Sequence, residues 1–426
     1  MTEGDAGPDG LRPRIIGILV VGQVLGGVSA GATISLGALL AADVTGSEAL
    51  SGLASTFLTL GAALAAVPLA RLAVRSGRRT ALASGVALSA LGAGSTIGAV
   101  AASSAVWLFA SFLLVGVGSA VGLQARFAAT DLAGPRTRAR DLSIVVWATT
   151  VGAVLGPNLV GPGAIVGGAL GLPDRTGPFV FSIASGLLAM AVYLVGLRPD
   201  PLLESRRRSL ASSAAGPDPS ESVPSASRRR FAILAVTLSH AVMVAVMAMT
   251  PVHLHHHGDS DAIVGFTLSL HIAGMYALSP VFGWLADRIG RVTVVLAGQV
   301  LLAAALVVAS IGVHDSVAVG SGLVLLGVGW SASTIAGSAL VTESTAVADR
   351  PRVQGRTDLT MNLGGAAAGA LAGIVLAGVG YWGLAVSALS IVAVVLVAGL
   401  VIAWSSRPRT DRSGRPSATG GASAPR

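Results

Sequence analysis

The sequence predicts an all-α integral membrane protein whose twelve transmembrane helices form two six-helix repeats. Charged residues make up only 11% of the 426 positions and apolar residues 53%, with a mean hydropathy of +0.77. A soluble chain carries roughly 25% charged residues, so a soluble enzyme and a disordered protein are both excluded. The apolar residues occur in blocks of about 20, the length with which a helix crosses a bilayer, and short motifs recur between the two halves.

The apolar blocks divide into six and six around one long polar stretch. Span 1 is too long for a signal-peptide core, so we expect it to be retained. The polar stretch and the end of the chain are rich in Pro, Ser and Arg and have too little apolar content to fold. The expected domains are a cytoplasmic N-terminus at 1–14, a first bundle at 15–197, a cytoplasmic linker at 198–230, a second bundle at 231–404 and a disordered tail at 405–426. Spans 1 to 12 are predicted at 15–42, 50–69, 80–102, 106–130, 142–170, 178–197, 231–252, 262–285, 292–313, 316–341, 359–380 and 381–404.

The distribution of arginine predicts the orientation in the membrane. All 28 basic residues are arginines, and alternate loops hold nearly all of them, whereas the other loops hold only Arg175. Because cytoplasmic loops are enriched in basic residues, both termini are predicted to be cytoplasmic, in a multi-pass inner or plasma membrane protein. Arginine without lysine is typical of a GC-rich genome and favours a bacterial source. A nucleic-acid-binding role would need these arginines on one folded surface, so no nucleic-acid partner is expected.

Three pairs of motifs indicate an internal duplication. The segment 70–79 after span 2 resembles 283–292 after span 8, at an offset of 213 positions. Gly-Val-Gly occurs at 116–118 and 327–329, an offset of 211, and spans 5 and 11 open with Asp141-Leu-Ser and Asp358-Leu-Thr, an offset of 217. Parallel six-helix repeats related by an axis along the membrane normal are a transporter architecture, with the solute site between the halves.

The loop Gly283-Trp-Leu-Ala-Asp287-Arg288-Ile-Gly290-Arg291 resembles the signature loop of the major facilitator superfamily. The first-half copy departs from it, with Ala70 and Val74 at the usual Gly and Asp. The resemblance covers helix count, linker, repeat and orientation, and it implies that fold, with this loop as a latch on the cytoplasmic side. The predicted latch residues are Arg75, Gly77, Arg78, Asp131, Gly283, Asp287, Arg288, Gly290, Arg291 and Glu343.

The same residues have a direct physical interpretation. Glycine allows a sharp reversal between helices. Asp287 can accept hydrogen bonds from the free N–H groups at a helix start, where the helix dipole favours a negative charge. Arg291 can pair with Glu343 and Arg78 with Asp131 across neighbouring helix ends. The alternative is an ordinary charged turn between helices. Without an acid at Val74, the first-half latch is expected to be incomplete.

Span 5 contains a second recognisable motif, Gly152-Ala-Val-Leu-Gly156-Pro157-Asn158-Leu-Val-Gly161. It is similar to the Gly-Pro motif of the family's proton-linked antiporters, which implies a rocking hinge and export. Small residues at this spacing let helices pack closely, and Pro157 bends the helix. The alternative is generic close packing. The acidic motif of drug–proton antiporters is absent from span 1, and Ser111 and Phe112 occupy the middle of span 4 where those antiporters carry Arg.

Two histidines are the candidates for proton coupling. Ionisable groups inside a bilayer are costly and indicate function, and His240 in span 7 and His271 in span 8 fall near mid-depth. Histidine can gain or lose a proton near physiological pH; the alternative is a packing role. Four charged residues are placed within a turn or two of the cytoplasmic boundary, outside the middle of any span: Arg126, Asp131, Glu343 and Asp358.

The cavity is expected to be lined by polar and aromatic side chains. The candidates are Gln23, Trp147, Asn158, Tyr276, Trp330 and Asn362. With so few charges at depth, the cavity suits a neutral, amphipathic or weakly cationic compound. Polar side chains that only join helices are the alternative for each.

A histidine run at the outer end of span 7 is the one candidate for metal binding. Histidine is a competent ligand for zinc or nickel, but such tracts are often only compositional, and we expect no resident metal or other cofactor. A pH-responsive outer gate is a further alternative. The run comprises His253, His255, His256 and His257.

The sequence therefore predicts a secondary transporter that moves a small organic solute by alternating access. ATP-driven transport is excluded because the chain contains no lysine for a phosphate-binding loop. Proton-coupled efflux by a monomer is the first hypothesis. The alternatives are an uptake permease for a neutral metabolite and a membrane receptor that retains a transporter fold. An enzyme is not expected, because no nucleophile–base pair lies at depth.

Overall fold

The computed structural model describes residues 10–47, 50, 52–215, 225–256 and 261–405. Over these ranges the chain forms thirteen α-helices and no strand. The helices of the first half are α1 Leu11–Thr45, α2 Leu53–Ala101, α3 Ala105–Ala128, α4 Arg138–Asn158, α5 Val160–Ala169 and α6 Pro178–Gly196, followed by α7 Pro201–Ala215. Those of the second half are α8 Ala226–His256, α9 Asp261–Tyr276, α10 Ser279–Ile289, α11 Arg291–Ile311, α12 Ser316–Glu343 and α13 Arg350–Ser405.

These helices confirm the predicted twelve crossings. By length and hydropathy, nine stretches of the described chain can cross a membrane. Two of them contain two crossings each, since α2 breaks at Gly77 and α13 at Gly380, where the positive φ values of 86° and 70° favour glycine. Span 8 consists of α9 and α10 end to end, and the remaining crossing, span 5, consists of α4 and α5.

Each half has its own apolar core. In the first bundle, α2 and α3 cross so closely that a Cβ on Gly61 would lie 2.0 Å from the carbonyl oxygen of Leu113. In the second bundle, a large cluster of apolar side chains joins α8, α11, α12 and α13 around Trp330 and Tyr381. The two six-helix units are therefore each packed internally, which allows them to move as bodies.

The two bundles meet at the end that carries the turns at Gly77 and Gly290, which we call the arginine-rich face. There α13 approaches α2 so closely that a Cβ on Gly355 would lie 2.4 Å from the Cβ of Ala70. A second contact packs Ile335 of α12 against Phe127 and Leu142 of the first bundle. Hydrogen bonds also join the bundles at this face, from Arg78 to Gln354 and from the start of α4 to Asp287.

The expectation that the linker at 198–230 does not fold is wrong at both of its described ends, because α8 already begins at Ala226 and Pro201–Ala215 form the helix α7. Asp200 begins it by accepting hydrogen bonds from the backbone N–H groups of Leu202 and Leu203. Leu202 is buried in a small cluster with Ala73 and Ala81 beneath the first bundle. A count of apolar content overlooks both the docking of Leu202 and the helix start at Asp200. Residues 216–224 and the tail from 406 lie outside the described residues, as do residues 1–9.

Candidate functional site

A buried ion pair joins the two bundles. Arg126 of α3 donates from Nη2 to Oδ1 of Asp358 in α13 at 2.7 Å, and the two side chains are 3% and 1% exposed. Nε of Arg126 and Oδ2 of Asp358 have no hydrogen-bond partner among the described residues. A charge buried in a low-dielectric interior is costly unless it is paired. The pair therefore favours the conformation in which the bundles are joined at this level.

The helices set the position of this pair. Arg126 lies in the last turn of α3, and Asp358 lies in the third turn of α13. Asn362, one turn further along, donates from Nδ2 to the backbone oxygen of Asp358 at 2.8 Å. The sequence interpretation placed both charges near the boundary and gave them no role. The one signal was that opposite charges stand near the same end of spans 4 and 11, which belong to different halves.

The rings of His240, Trp330 and Tyr276 form a cluster close to the Arg126–Asp358 pair. Trp330 donates from Nε1 to Nδ1 of His240 at 3.1 Å, and its ring meets that of Tyr276 edge-on at 5.9 Å between centroids. Because an indole nitrogen can only donate, Nδ1 of His240 must be unprotonated, and the neutral ring carries its proton on Nε2. A proton added at Nδ1 would break the bond to Trp330.

The ion pair and the aromatic cluster belong to one region. Arg126 is close enough to act electrostatically on both His240 and Tyr276. The buried hydroxyls of three α12 residues have no partner among the described residues, and polar sites of this kind hold ordered water. These are Ser331, Thr334 and Ser338. The region therefore combines a charge pair that joins the bundles with a titratable ring and aromatic faces, and α12, which supplies Trp330, also carries the three hydroxyls.

The other predicted cavity residues differ in their surroundings. Gln23 donates to the hydroxyl of Thr149 and so joins α1 to α4 within the first bundle. Trp147 is exposed on α4, and Asn158 is exposed at its end. Only Tyr276, Trp330 and Asn362 of the predicted set are brought together with the ion pair.

His271 lies in a packing environment. It is fully buried, and its Nδ1 is 2.6 Å from the backbone oxygen of Leu323. Its ring also contacts Gly327, where a Cβ would lie 3.1 Å from Nδ1. This position joins α9 to α12 and does not resemble the surroundings of His240.

The second-half signature loop joins the bundles through Asp287. Its carboxylate accepts hydrogen bonds from the backbone N–H groups of Ala139 at 3.1 Å and Arg140 at 2.8 Å, at the start of α4. Gly283 is required because a Cβ there would lie 2.1 Å from Oγ of Ser143. A carboxylate on the N-terminus of a helix is favoured by the helix dipole.

Arg291 strengthens the same contact. It pairs with Glu343 and with Asp287, and it donates to the backbone oxygen of Pro135 in the first bundle at 2.5 Å. Arg288, in contrast, is exposed and lies over the ring of Trp284. Arg291 is therefore the arginine of this loop that reaches the other bundle.

The first-half loop is also bonded across the interface, although it lacks the acid at position 74. Arg78 is fully buried and donates to Asp131 and Gln124, both at 2.8 Å. It also donates to Oε1 of Gln354 in the second bundle at 2.6 Å. A neutral amide thus accepts the bond across the interface. The expectation of an incomplete first-half latch overlooked Gln354, which has no counterpart in the signature motif.

The linker supplies an acid at the Gly77 turn. Asp200 accepts a hydrogen bond from the backbone N–H of Arg79 at 2.8 Å, and a Cβ on Gly77 would lie 2.3 Å from its Oδ2. Arg206 of α7 donates to the backbone oxygen of Val74 at 2.9 Å. Asp200 therefore occupies the turn where the motif lacks its own carboxylate, while Arg75 is exposed.

The Gly-Pro segment interrupts its helix. The sequence from Gly156 and Pro157 leads into the end of α4 at Asn158, and α5 begins at Val160. Gly152 packs tightly on α1, where a Cβ would lie 2.5 Å from Cα of Gly27. Gly161 faces open space. One glycine of the motif thus makes the expected close contact and one does not; the side-chain surroundings of Gly156 and Pro157 lie outside the described residues.

The histidine run is described only in part. His253 is buried, with Nε2 2.8 Å from the backbone oxygen of Val313 and its ring stacked on Tyr381 at 4.3 Å. These contacts are structural. The side chains of His255 and His256, and all of His257, lie outside the described residues. Among the residues that are described, no group of three His, Asp or Glu side chains is placed to hold a metal ion.

Comparison with known sequences gives one consistent result. Residues 18–263 and 231–425 match the family model of the Major Facilitator Superfamily. The chain is 39% identical over 373 residues to the uncharacterized MFS-type transporter YddS of Bacillus subtilis, covering 86% of this chain and 85% of YddS. It is 31% identical over 364 residues to the riboflavin transporter RfnT of Brucella anthropi, covering 82% and 85% of the two chains.

Comparison with solved structures agrees at the level of the fold. The human organic anion transporter MFSD10 superimposes with a TM-score of 0.74 at 18% identity, over 92% of this chain and 100% of that one. The transporter FucP in the outward conformation superimposes with a TM-score of 0.66 at 15% identity, over 91% and 97%.

Proposed function

The chain belongs to the major facilitator superfamily of membrane transporters, and we propose that it couples the movement of a small organic solute to protons. The observation that carries this proposal is the inter-bundle region in which the Arg126–Asp358 pair lies beside His240 and Trp330. Asp358 is held by a contact between the two bundles, which must separate in alternating access, and His240 lies beside that contact, bonded to Trp330 within the second bundle. Protonation and opening are thereby coupled.

His240 is the proposed proton-binding group. A proton at Nδ1 would remove the acceptor of the Trp330 bond and free the indole. Asp358 is the second proposed group, because protonation would weaken its pairing with Arg126 and remove one contact between the bundles. His271, the other histidine considered, is bonded to Leu323 in a packing position, which favours His240.

The proposed solute is neutral or weakly cationic and carries an aromatic ring. Trp330 and Tyr276 offer ring faces and edges, and aromatic contacts of this kind contribute about 0.5–1.5 kcal/mol each. The charges nearby are already paired with each other, so a strongly anionic solute has no free cation to bind. Efflux from the cytoplasm is the proposed direction, on the similarity of the Gly152–Gly161 segment to that of antiporters.

Uptake of a neutral heteroaromatic metabolite is the second candidate. It is supported by the 31% identity to a protein named as a riboflavin transporter and by the aromatic cluster at the site. Flux in everted vesicles and in right-side-out vesicles, measured with riboflavin and with planar cationic dyes, distinguishes the two directions and the two solute classes.

Proteoliposomes with an imposed pH gradient test the coupling. We expect gradient-driven accumulation to be lost in His240→Gln while solute exchange without a gradient persists. His314→Gln, which changes an exposed histidine on the opposite face, is the matched control. Intact gradient-driven accumulation in His240→Gln would contradict the assignment of His240.

The proposed orientation places the arginine-rich face in the cytoplasm. Since the chain has no cysteine, single cysteines can be labelled without background. An impermeant maleimide added to whole cells should label Ala102→Cys and leave Ser76→Cys unlabelled, both positions being exposed. The reverse pattern would overturn the orientation and with it the proposed direction. We also propose that the protein works as a monomer in the plasma membrane.

A further inference from the structure

A second cluster of charges lies at the arginine-rich face, outside the region proposed for transport. It surrounds Arg138, the first residue of α4, which is buried with only 5% of its surface exposed. Nε and Nη1 of Arg138 have no hydrogen-bond partner among the described residues. An Arg side chain that is buried with free donors is costly. This one points to a ligand that the protein itself does not supply.

The surroundings of Arg138 carry an excess of positive charge. The charged groups that act on Arg138 include Arg350 and Arg291, which oppose its charge, and Glu343 and Asp287, which favour it. Both carboxylates are already engaged, Glu343 with Arg291 and Arg228 and Asp287 with the start of α4. Counting Arg138 itself, three guanidinium groups and two carboxylates act on one another here.

Two further observations agree with an unfilled anion site. Burial, with the nearby arginines adding to it, lowers the pKa of Arg138 to about 10. The hydroxyl of Ser344, next to Glu343 in the chain, is buried and has no hydrogen-bond partner within the described part of the chain. Guanidinium forks match the oxygens of a phosphate group and bind it with two parallel hydrogen bonds.

We propose that Arg138 and Arg350 bind a phosphate-class anion between the two bundles at the arginine-rich face. Arg138 belongs to the first bundle and Arg350 to the start of α13 in the second. An anion held by both joins the bundles, and a ligand that binds one conformation better shifts the population toward it. The bound anion thus stabilises closure of this face and slows the transport cycle. The proposal does not depend on the identity of the solute or on its direction.

Two sources can present this chemistry at a membrane surface: a phospholipid headgroup and a free phosphate. The test is thermal unfolding of the purified full-length protein. One arm adds inorganic phosphate in detergent at constant ionic strength, with chloride as the reference. The other arm compares phosphatidylcholine nanodiscs with nanodiscs that also contain phosphatidylglycerol.

We expect saturable stabilisation of the wild type in at least one arm. Arg138→Gln should weaken the apparent affinity by roughly tenfold or more, since hydrogen bonds between a guanidinium and a phosphate oxygen are stronger than those between neutral groups. Arg136→Gln, which changes an exposed arginine two positions earlier, should bind as the wild type does. If Arg138→Gln does not fold, Arg350→Gln gives the same comparison.

The two arms identify the source. Stabilisation by phosphate alone assigns a soluble anion, and stabilisation by phosphatidylglycerol alone assigns a lipid headgroup. If neither ligand stabilises the protein, or if both stabilise Arg138→Gln and Arg350→Gln as strongly as the wild type, the site does not exist.

Discussion

Removing the charge of Asp358 is expected to open the arginine-rich face. Asp358→Asn keeps the shape of the side chain but leaves Arg126 buried without a charged partner. Breaking a buried ion pair in this way costs about 3–5 kcal/mol. Because the pair joins different bundles, its loss destabilises the conformation described here, in which the bundles are in contact at this face. It does not destabilise a conformation in which they have separated there. Even 3 kcal/mol would change the ratio of the two conformations roughly a hundredfold.

Spin labels on introduced cysteines measure this shift, since the native chain has none. One pair, at Ser76 and Ile289, lies on opposite bundles at the arginine-rich face, and another, at Ala102 and Val317, lies at the opposite face; all four positions are exposed. In Asp358→Asn the first distance should lengthen and the second should shorten.

Two comparisons make the result specific to the ion pair. Asp349→Asn changes an exposed carboxylate at the start of the same helix and should leave both distances unchanged. The double variant Arg126→Gln, Asp358→Asn removes the uncompensated charge and should recover much of the wild-type distribution. If a folded Asp358→Asn protein kept the wild-type distances at both faces, the pair would not hold the bundles together.

Three further substitutions test the contacts around the site. Asp287→Asn removes the charge that binds the start of α4, where each hydrogen bond contributes about 1.5–3 kcal/mol. The distribution of Ser76–Ile289 distances should therefore broaden toward longer values. Trp330→Phe removes a hydrogen bond of about 1 kcal/mol that only the unprotonated His240 accepts, so His240 takes up a proton more easily. Gradient-driven transport should therefore persist to a pH that is higher by up to about one unit. Gly77→Ala forces a side chain into a glycine-only backbone region at about 1–3 kcal/mol and displaces Asp200, so its thermal unfolding temperature should fall further than that of Gly46→Ala, where φ is also positive but no atom is near.

The sequence predicted the features that depend on short stretches of the chain. A bilayer requires about 20 apolar residues for each helix, so the twelve crossings are visible as hydropathy blocks, including both crossings within α2 and within α13. The signature loop is also local: the pairs Arg78–Asp131 and Arg291–Glu343 join helix ends that any chain with this connectivity must bring together.

The features that the sequence did not reveal depend on how the two bundles meet. Arg126 and Asp358 lie 232 positions apart, and each alone resembles an ordinary charge near a membrane boundary. Gln354 is equally inconspicuous until α13 crosses α2 and brings it to Arg78. The helix α7 was missed for a related reason, because Leu202 stabilises it by docking on the first bundle. Contacts between distant segments leave no periodic pattern in the chain.

The contacts across the interface also explain how closure can be reversible. Hydrogen bonds of charged groups on Asp287, Arg78 and Arg126 cross between the bundles, and each contributes about 1.5–3 kcal/mol. A few kcal/mol is also the scale on which a ligand or a proton shifts a conformational equilibrium. The two largest apolar clusters lie inside the bundles, where opening leaves them intact, and the smaller contact of Ile335 with Phe127 and Leu142 is the apolar packing that opening would disrupt. A proton on Asp358 can therefore remove one of these contacts without unfolding either bundle, which is the condition that alternating access requires.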